Sequence, residues 1–76
     1  MNSQSGSADQ VAITINGEPR SAPADATVAS LLHQIGVQDD RVAVELNRQI
    51  VRRGEWETTQ VREGAAIEIV QFVGGG

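Results

Sequence analysis

Ala66-Ile67-Glu68-Ile69-Val70-Gln71-Phe72-Val73-Gly74-Gly75-Gly76 is the stretch on which the fold turns. From Ala66 to Val73 it reads as one extended strand, with Ile67 and Ile69 on one face and Glu68, Val70 and Phe72 on the other; Gly64 breaks the chain just before it. The strand enters three glycines with no linker between. At an average glycine usage of about 7%, three in a row at a chosen terminus arise about three times in ten thousand. Small residues are nevertheless common at chain ends, so the run decides little by itself. The join decides more, because a strand built into a rigid body delivers a slender tail.

Working back from this strand, Val42, Val44 and Leu46 alternate with Ala43, Glu45 and Asn47. A turn at Asn47-Arg48 leads to a short strand over 49–51, and 52–59 reads as irregular or briefly helical. Further upstream, Thr27 can cap a helix whose apolar residues Val28, Leu31, Leu32 and Ile35 fall at i, i+3, i+4 and i+7, and Gly36 stands where a left-handed C-terminal cap belongs. Val11, Ile13 and Ile15 alternate with polar or small residues as the first strand, and Asn16-Gly17 supplies a tight hairpin turn. The return strand, from Glu18 to about Ala22, carries Pro19 and precedes Pro23, so it belongs at a sheet edge.

Strand, strand, helix, strand, short strand, strand predicts an α+β domain, a mixed sheet packed on one main helix. A β-grasp roll satisfies that order, with the last strand placed centrally beside the first. The expected core is Val11, Ile13, Ile15, Leu31, Leu32, Ile35, Val42, Val44, Leu46, Ile67 and Ile69. Residues 1–10, dominated by Ser, Asn, Gln and Gly, offer little to offset an ordering cost of about 1–2 kcal/mol per residue. They are expected to form a disordered leader, with the domain over 11–73 and a flexible reactive tail over 74–76.

Composition narrows the function classes. A chain of 76 residues builds one thin core, a poor host for a deep catalytic cleft. The absence of Cys removes disulfides, thiolate metal sites and a thiol nucleophile. A net charge of −4 disfavours nucleic acid and anionic lipid. No apolar run approaches the ~20 residues of a membrane helix and the N-terminus lacks signal-peptide features, so the cytoplasm is the expected location. All six basic residues are Arg, which leaves the α-amine as the only amine. His33, the one His, lies beside the helix's apolar face with no companion ligand, and Asp39, Asp40, Glu55 and Glu57 read as solvated charges. Trp56 is expected to pack over the core edge. No catalytic residue, metal site or bound cofactor is expected.

What remains chemically is the α-carboxylate of Gly76. Without Cβ atoms, Gly74, Gly75 and Gly76 can thread a constriction closed to other residues. A carboxylate is a poor acyl donor, and reaction with the α-phosphate of ATP would turn it into an acyl-adenylate. Sulfide or a protein persulfide could then displace AMP to leave a terminal thiocarboxylate. The chain has no phosphate-binding Gly-rich loop of its own, so a partner must use the ATP.

The chain resembles the ThiS family, the sulfur carriers of thiamine biosynthesis. The resemblance lies in Ile15-Asn16-Gly17, Thr27-Val28 with Leu31-Leu32, Val42 to Asn47, Ile50-Val51 with Arg53 and Trp56, and Ile67 to Val70 ending in Val73-Gly74-Gly75-Gly76. It implies a β-grasp fold, adenylation by a ThiF-type enzyme, a sulfur donor protein, a thiocarboxylate at Gly76 and delivery of sulfur to thiazole synthase. Two positions depart from the usual pattern: Gly64-Ala65 where the family often reads Gly-Asp, which weakens a turn, and Arg52-Arg53 where it often reads Pro-Arg, which alters a partner surface. The leader also lies outside it. The same chemistry could serve molybdopterin or another sulfur-containing metabolite. A ubiquitin-like modifier joined through Gly76 to amines, or a passive binding module, are readings of another class.

Val70 and Phe72 occupy the face opposite the one a single helix can cover. With Ala43 they form the expected docking patch for a partner.

Overall fold

The computed structural model describes residues 9–37 and 41–72. Strands β1 (Gln10–Ile15) and β2 (Glu18–Pro23) form a hairpin, helix α1 (Val28–Gln34) follows, and β3 (Val42–Leu46) pairs with the short β4 (Gln49–Val51). A single 3-10 turn (Arg53–Glu55) leads through an irregular stretch to β5 (Ala66–Gln71). The five strands lie in the order β2-β1-β5-β3-β4. β5 runs parallel to β1 and antiparallel to β3, so the sheet is mixed and its last strand is central. The edge position of β2 accords with its prolines.

Each element has a local cause. Asn16 and Gly17 hold φ of 52° and 84°, the paired positive values of a two-residue hairpin turn, and Asn47-Arg48 repeats them at 52° and 71°. Thr27 caps α1 through a reciprocal box: Ser30 N–H donates to Thr27 Oγ1 at 3.2 Å, and Thr27 N–H donates to Ser30 Oγ at 2.9 Å. The other first-turn amides are met from outside the helix, Val28 N–H by the Thr59 carbonyl and Ala29 N–H by the Trp56 carbonyl, both at 2.9 Å. Gly36, at φ 89°, takes the left-handed step that ends the helix.

The core lies between the sheet and α1. Ile13, Ile15, Val28, Leu31, Leu32, Val42, Val44 and Ile67 are buried, while Val11, Ile35, Leu46 and Ile69 pack half-buried at its margin. Val51, Val61, Ala22, Ala26 and Ala65 complete it. Val61 is placed by its N–H to the Ala26 carbonyl at 2.9 Å, beside a bridge between Thr27 and Gln60. Trp56 packs against the core, and its Nε1–H donates to the Val51 carbonyl at 2.9 Å. The turn before β5 is formed despite its Ala: Gly64 takes φ 83°, and Ala65, buried, closes the turn by donating to the Arg62 carbonyl at 3.0 Å.

Two boundaries differ from those read in the sequence. β1 begins at Gln10, which pairs with Pro23, so pairing reaches into the leader. β5 ends at Gln71, short of the expected Val73; Phe72 N–H still donates to the Arg41 carbonyl at 2.9 Å, one step beyond the last paired residue. Residues 1–8, and Asp39 and Asp40, lie outside the described residues. No helix among the described residues is long and apolar enough to cross a membrane.

Candidate functional site: the tail strand and its open face

β5 carries the chain toward the glycines, and what holds it is asymmetric. Just beyond the two ends of its ladder with β3, Phe72 N–H donates to the Arg41 carbonyl and Asn47 N–H to the Ala66 carbonyl, so by the alternation of an antiparallel ladder Glu68/Glu45 and Val70/Ala43 are the bonded pairs between them. The backbone groups of Ile67, Ile69 and Gln71 therefore point toward β1. β1 meets only the first part of this requirement, since its register with β5 stops at Ile15/Ile67.

Asn16 supplies the next rung with its side chain. Ile69 N–H donates to Asn16 Oδ1 at 2.8 Å, Asn16 Nδ2 donates to the Ile69 carbonyl at 3.3 Å, and Asn16 N–H donates to the Ile67 carbonyl at 2.8 Å. Asn47 does the same from the other hairpin: its N–H donates to the Ala66 carbonyl at 2.8 Å and its Oδ1 accepts from Ala66 N–H at 3.0 Å. Two left-handed turn residues thus clamp the tail strand, one on each side. The turn signals were legible in the sequence; the clamps were not, because they need the knowledge that β5 lies between the two hairpins.

The face away from α1 brings the three expected patch residues together. Ala43 and Val70 sit directly opposite each other, and Phe72 follows on the same face. Val70 and Phe72 are each 56% exposed, and Ala43 is half-buried. Ile50, 72% exposed, lies on the same face opposite Glu45 and was not part of the expected patch. His33, Glu55 and Glu57 are exposed, as are Arg52 and Arg53. Val73, Gly74, Gly75 and Gly76 lie outside the described residues.

A family model described as the ThiS family matches residues 13–76, which is most of the chain. The chain belongs to the ThiS family. The sulfur carrier protein ThiS of Escherichia coli (strain K12) is 33% identical over 64 residues, covering 84% of this chain and 97% of that protein. A thiazole synthase of Paramagnetospirillum magneticum is 44% identical over 64 residues, covering 84% of this chain but 20% of its own length. The ThiS-family chain thus spans about a fifth of the length of that synthase, and the same holds for a thiazole synthase of Magnetococcus marinus at 42% identity. Among solved structures, the crystal structure of the thiamine biosynthesis protein ThiS from Geobacter metallireducens superimposes with a TM-score of 0.75 at 33% identity, covering 87% of this chain and all of that one. The mixed sheet on a single helix is accordingly the β-grasp fold of ThiS.

Proposed function

We propose that this ThiS-family chain is a sulfur carrier for thiazole formation in thiamine biosynthesis, a protein cosubstrate that works through the carboxylate of Gly76. The observation that carries the proposal is the placement of β5: the strand leading to Gly74-Gly75-Gly76 is the central strand of the sheet, clamped by Asn16 and Asn47. A carrier must present a thin reactive end from a body that does not yield, and this arrangement supplies the body.

The chemistry requires a partner. In a ThiF-type enzyme the Gly76 carboxylate oxygen attacks the α-phosphate of ATP; pyrophosphate leaves and an acyl-adenylate forms. Hydrosulfide then adds to the acyl carbon, and AMP departs with the electrons of the C–O bond, leaving the thiocarboxylate. When the sulfur arrives as a donor protein's persulfide, the product is an acyl disulfide whose S–S bond a second thiol cleaves. The thiocarboxylate sulfur is a soft nucleophile, suited to attack an electrophilic carbon in thiazole synthase. Support for that acceptor comes from the two thiazole synthases in which a segment similar to this chain forms about a fifth of the polypeptide. Val70, Phe72 and Ala43 provide the docking contact, since a pair of glycines offers little area for specificity.

The test is ATP–pyrophosphate exchange with the cognate adenylating enzyme, followed by intact-mass analysis after sulfur transfer. The full chain should support exchange and gain sulfur in place of oxygen at Gly76. Deleting Gly75 and Gly76 should abolish both while leaving thermal stability unchanged, because a terminal tail adds little to the core. A folded truncated chain that is adenylated and sulfurated as well as the full chain would overturn the proposal, and Gly76 joined to amines of other proteins would favour a modifier.

A further inference from the structure

The open face holds a second feature, which the tail chemistry does not use. Glu45 and Glu68 stand directly opposite each other across β3 and β5, and Glu45 stands opposite Ile50 across β4. One row across three strands therefore reads Ile50, Glu45, Glu68; the next row toward the tail is Ala43 and Val70, and Phe72 comes after it. Side chains so paired have Cβ atoms about 5 Å apart, and like charges in that position destabilise a sheet. Neither carboxylate gains a hydrogen bond or ion pair from another described residue. The domain thus carries two like-charged carboxylates directly opposite each other beside the exposed apolar residues of this face, an arrangement that disfavours the fold. Departures of this kind from what folding favours are expected at functional surfaces.

We infer that this face is a composite docking surface whose partner lays apolar side chains over Ala43, Val70, Phe72 and Ile50 and seats an Arg or Lys between Glu45 and Glu68. A single cation there relieves the repulsion in the free domain and is met by two acceptors, so it is bound more strongly than by either carboxylate alone. The chain's net charge of −4 speeds the encounter with such a basic surface. The occupant is the enzyme that activates the tail. It must cover the end of β5 that leads to Gly76, and the acidic pair on the same face selects a partner surface of opposite charge. This inference rests on the carrier reading and specifies the chemistry of its first partner.

Two variants of the full chain, E45Q/E68Q and E68R, test it by calorimetric titration against the cognate adenylating enzyme at low and high salt, with thermal unfolding alongside. E45Q/E68Q should bind about tenfold or more weakly, with a flatter salt dependence, as expected for a lost interfacial charge pair. Its thermal stability should be equal to or above that of the wild type. E68R places opposite charges across the strands, so it should stabilise the fold and yet bind still more weakly. A purely structural pair predicts changes in stability with unchanged affinity. Equal affinity and equal salt dependence for wild type and E45Q/E68Q would overturn the inference, as would E68R binding as tightly as wild type. Pyrophosphate exchange separates the two levels: exchange by wild type with an unchanged KM in E45Q/E68Q rejects the docking inference alone, whereas no exchange by wild type rejects the carrier reading.

Discussion

Replacing Asn16 tests whether the tail strand is held by a side chain in place of a missing rung. Asn16 does two things at once: it occupies a left-handed conformation at φ 52°, and it exchanges two hydrogen bonds with Ile69, at 2.8 and 3.3 Å. Gly and Ala separate these roles. In Asn16→Gly the turn keeps its favoured backbone and both side-chain bonds are lost. Each net bond contributes about 0.5–1.5 kcal/mol, the lower part of that range applying where water can replace it. Added freedom in the unfolded chain costs about 0.4–1 kcal/mol more. The expected loss is therefore about 1.5–3 kcal/mol. Asn16→Ala suffers the same bond loss and adds about 1 kcal/mol of strain at a positive φ, while escaping the entropy cost. For a domain of this size about 2 kcal/mol lowers Tm by roughly 8–16 °C. The site-specific readout is hydrogen exchange: the Ile69 amide should lose protection in both variants, while the Phe72 amide, bonded to Arg41 on the other side of β5, should lose much less. A glycine variant as stable as wild type, with the Ile69 amide still protected, would refute the clamp.

Two further predictions concern the core and the patch. Leu32→Ala should cost about 2–5 kcal/mol, because Leu32 is buried between α1 and the sheet and its removal leaves a cavity in a small core; chemical denaturation measures it, and a loss below about 1 kcal/mol would show that the site collapses or that the packing is wrong. Phe72→Ala should leave stability within about 0.5 kcal/mol of wild type, its ring being half exposed, yet weaken binding to the adenylating enzyme by about tenfold or more. Equal affinity in a calorimetric titration would remove Phe72 from the interface.

What could be read from the residue order, and what could not, divides along a physical line. Alternation of Ile67 and Ile69 with Val70 and Phe72, the i, i+3, i+4 spacing of Val28, Leu31 and Leu32, and the prolines of β2 are one-dimensional signals; the first two assigned an element and its buried face correctly, and the third an edge position. Val61 gives no such signal. It stands alone between Gln60 and Arg62, and it is buried only because the loop that contains it returns to satisfy the first turn of α1. The asparagines are a subtler case, since a turn already accounts for each of them and nothing in the chain asks for a second role. Their clamps, like the exposure of Ile50 and the meeting of Glu45 with Glu68, depend on which residue of one strand faces which residue of the next. Register is fixed by the whole sheet, and a shift of one residue would send every side chain of a strand to the other face. A shift of two would keep the same hydrophobic pattern yet part Glu45 from Glu68 and carry Ala43 away from Val70. The core alone cannot choose between those registers. The Asn16 and Asn47 clamps can, because each bonds one particular residue of β5, and they thereby align the open face as well as the strand that leads to the tail.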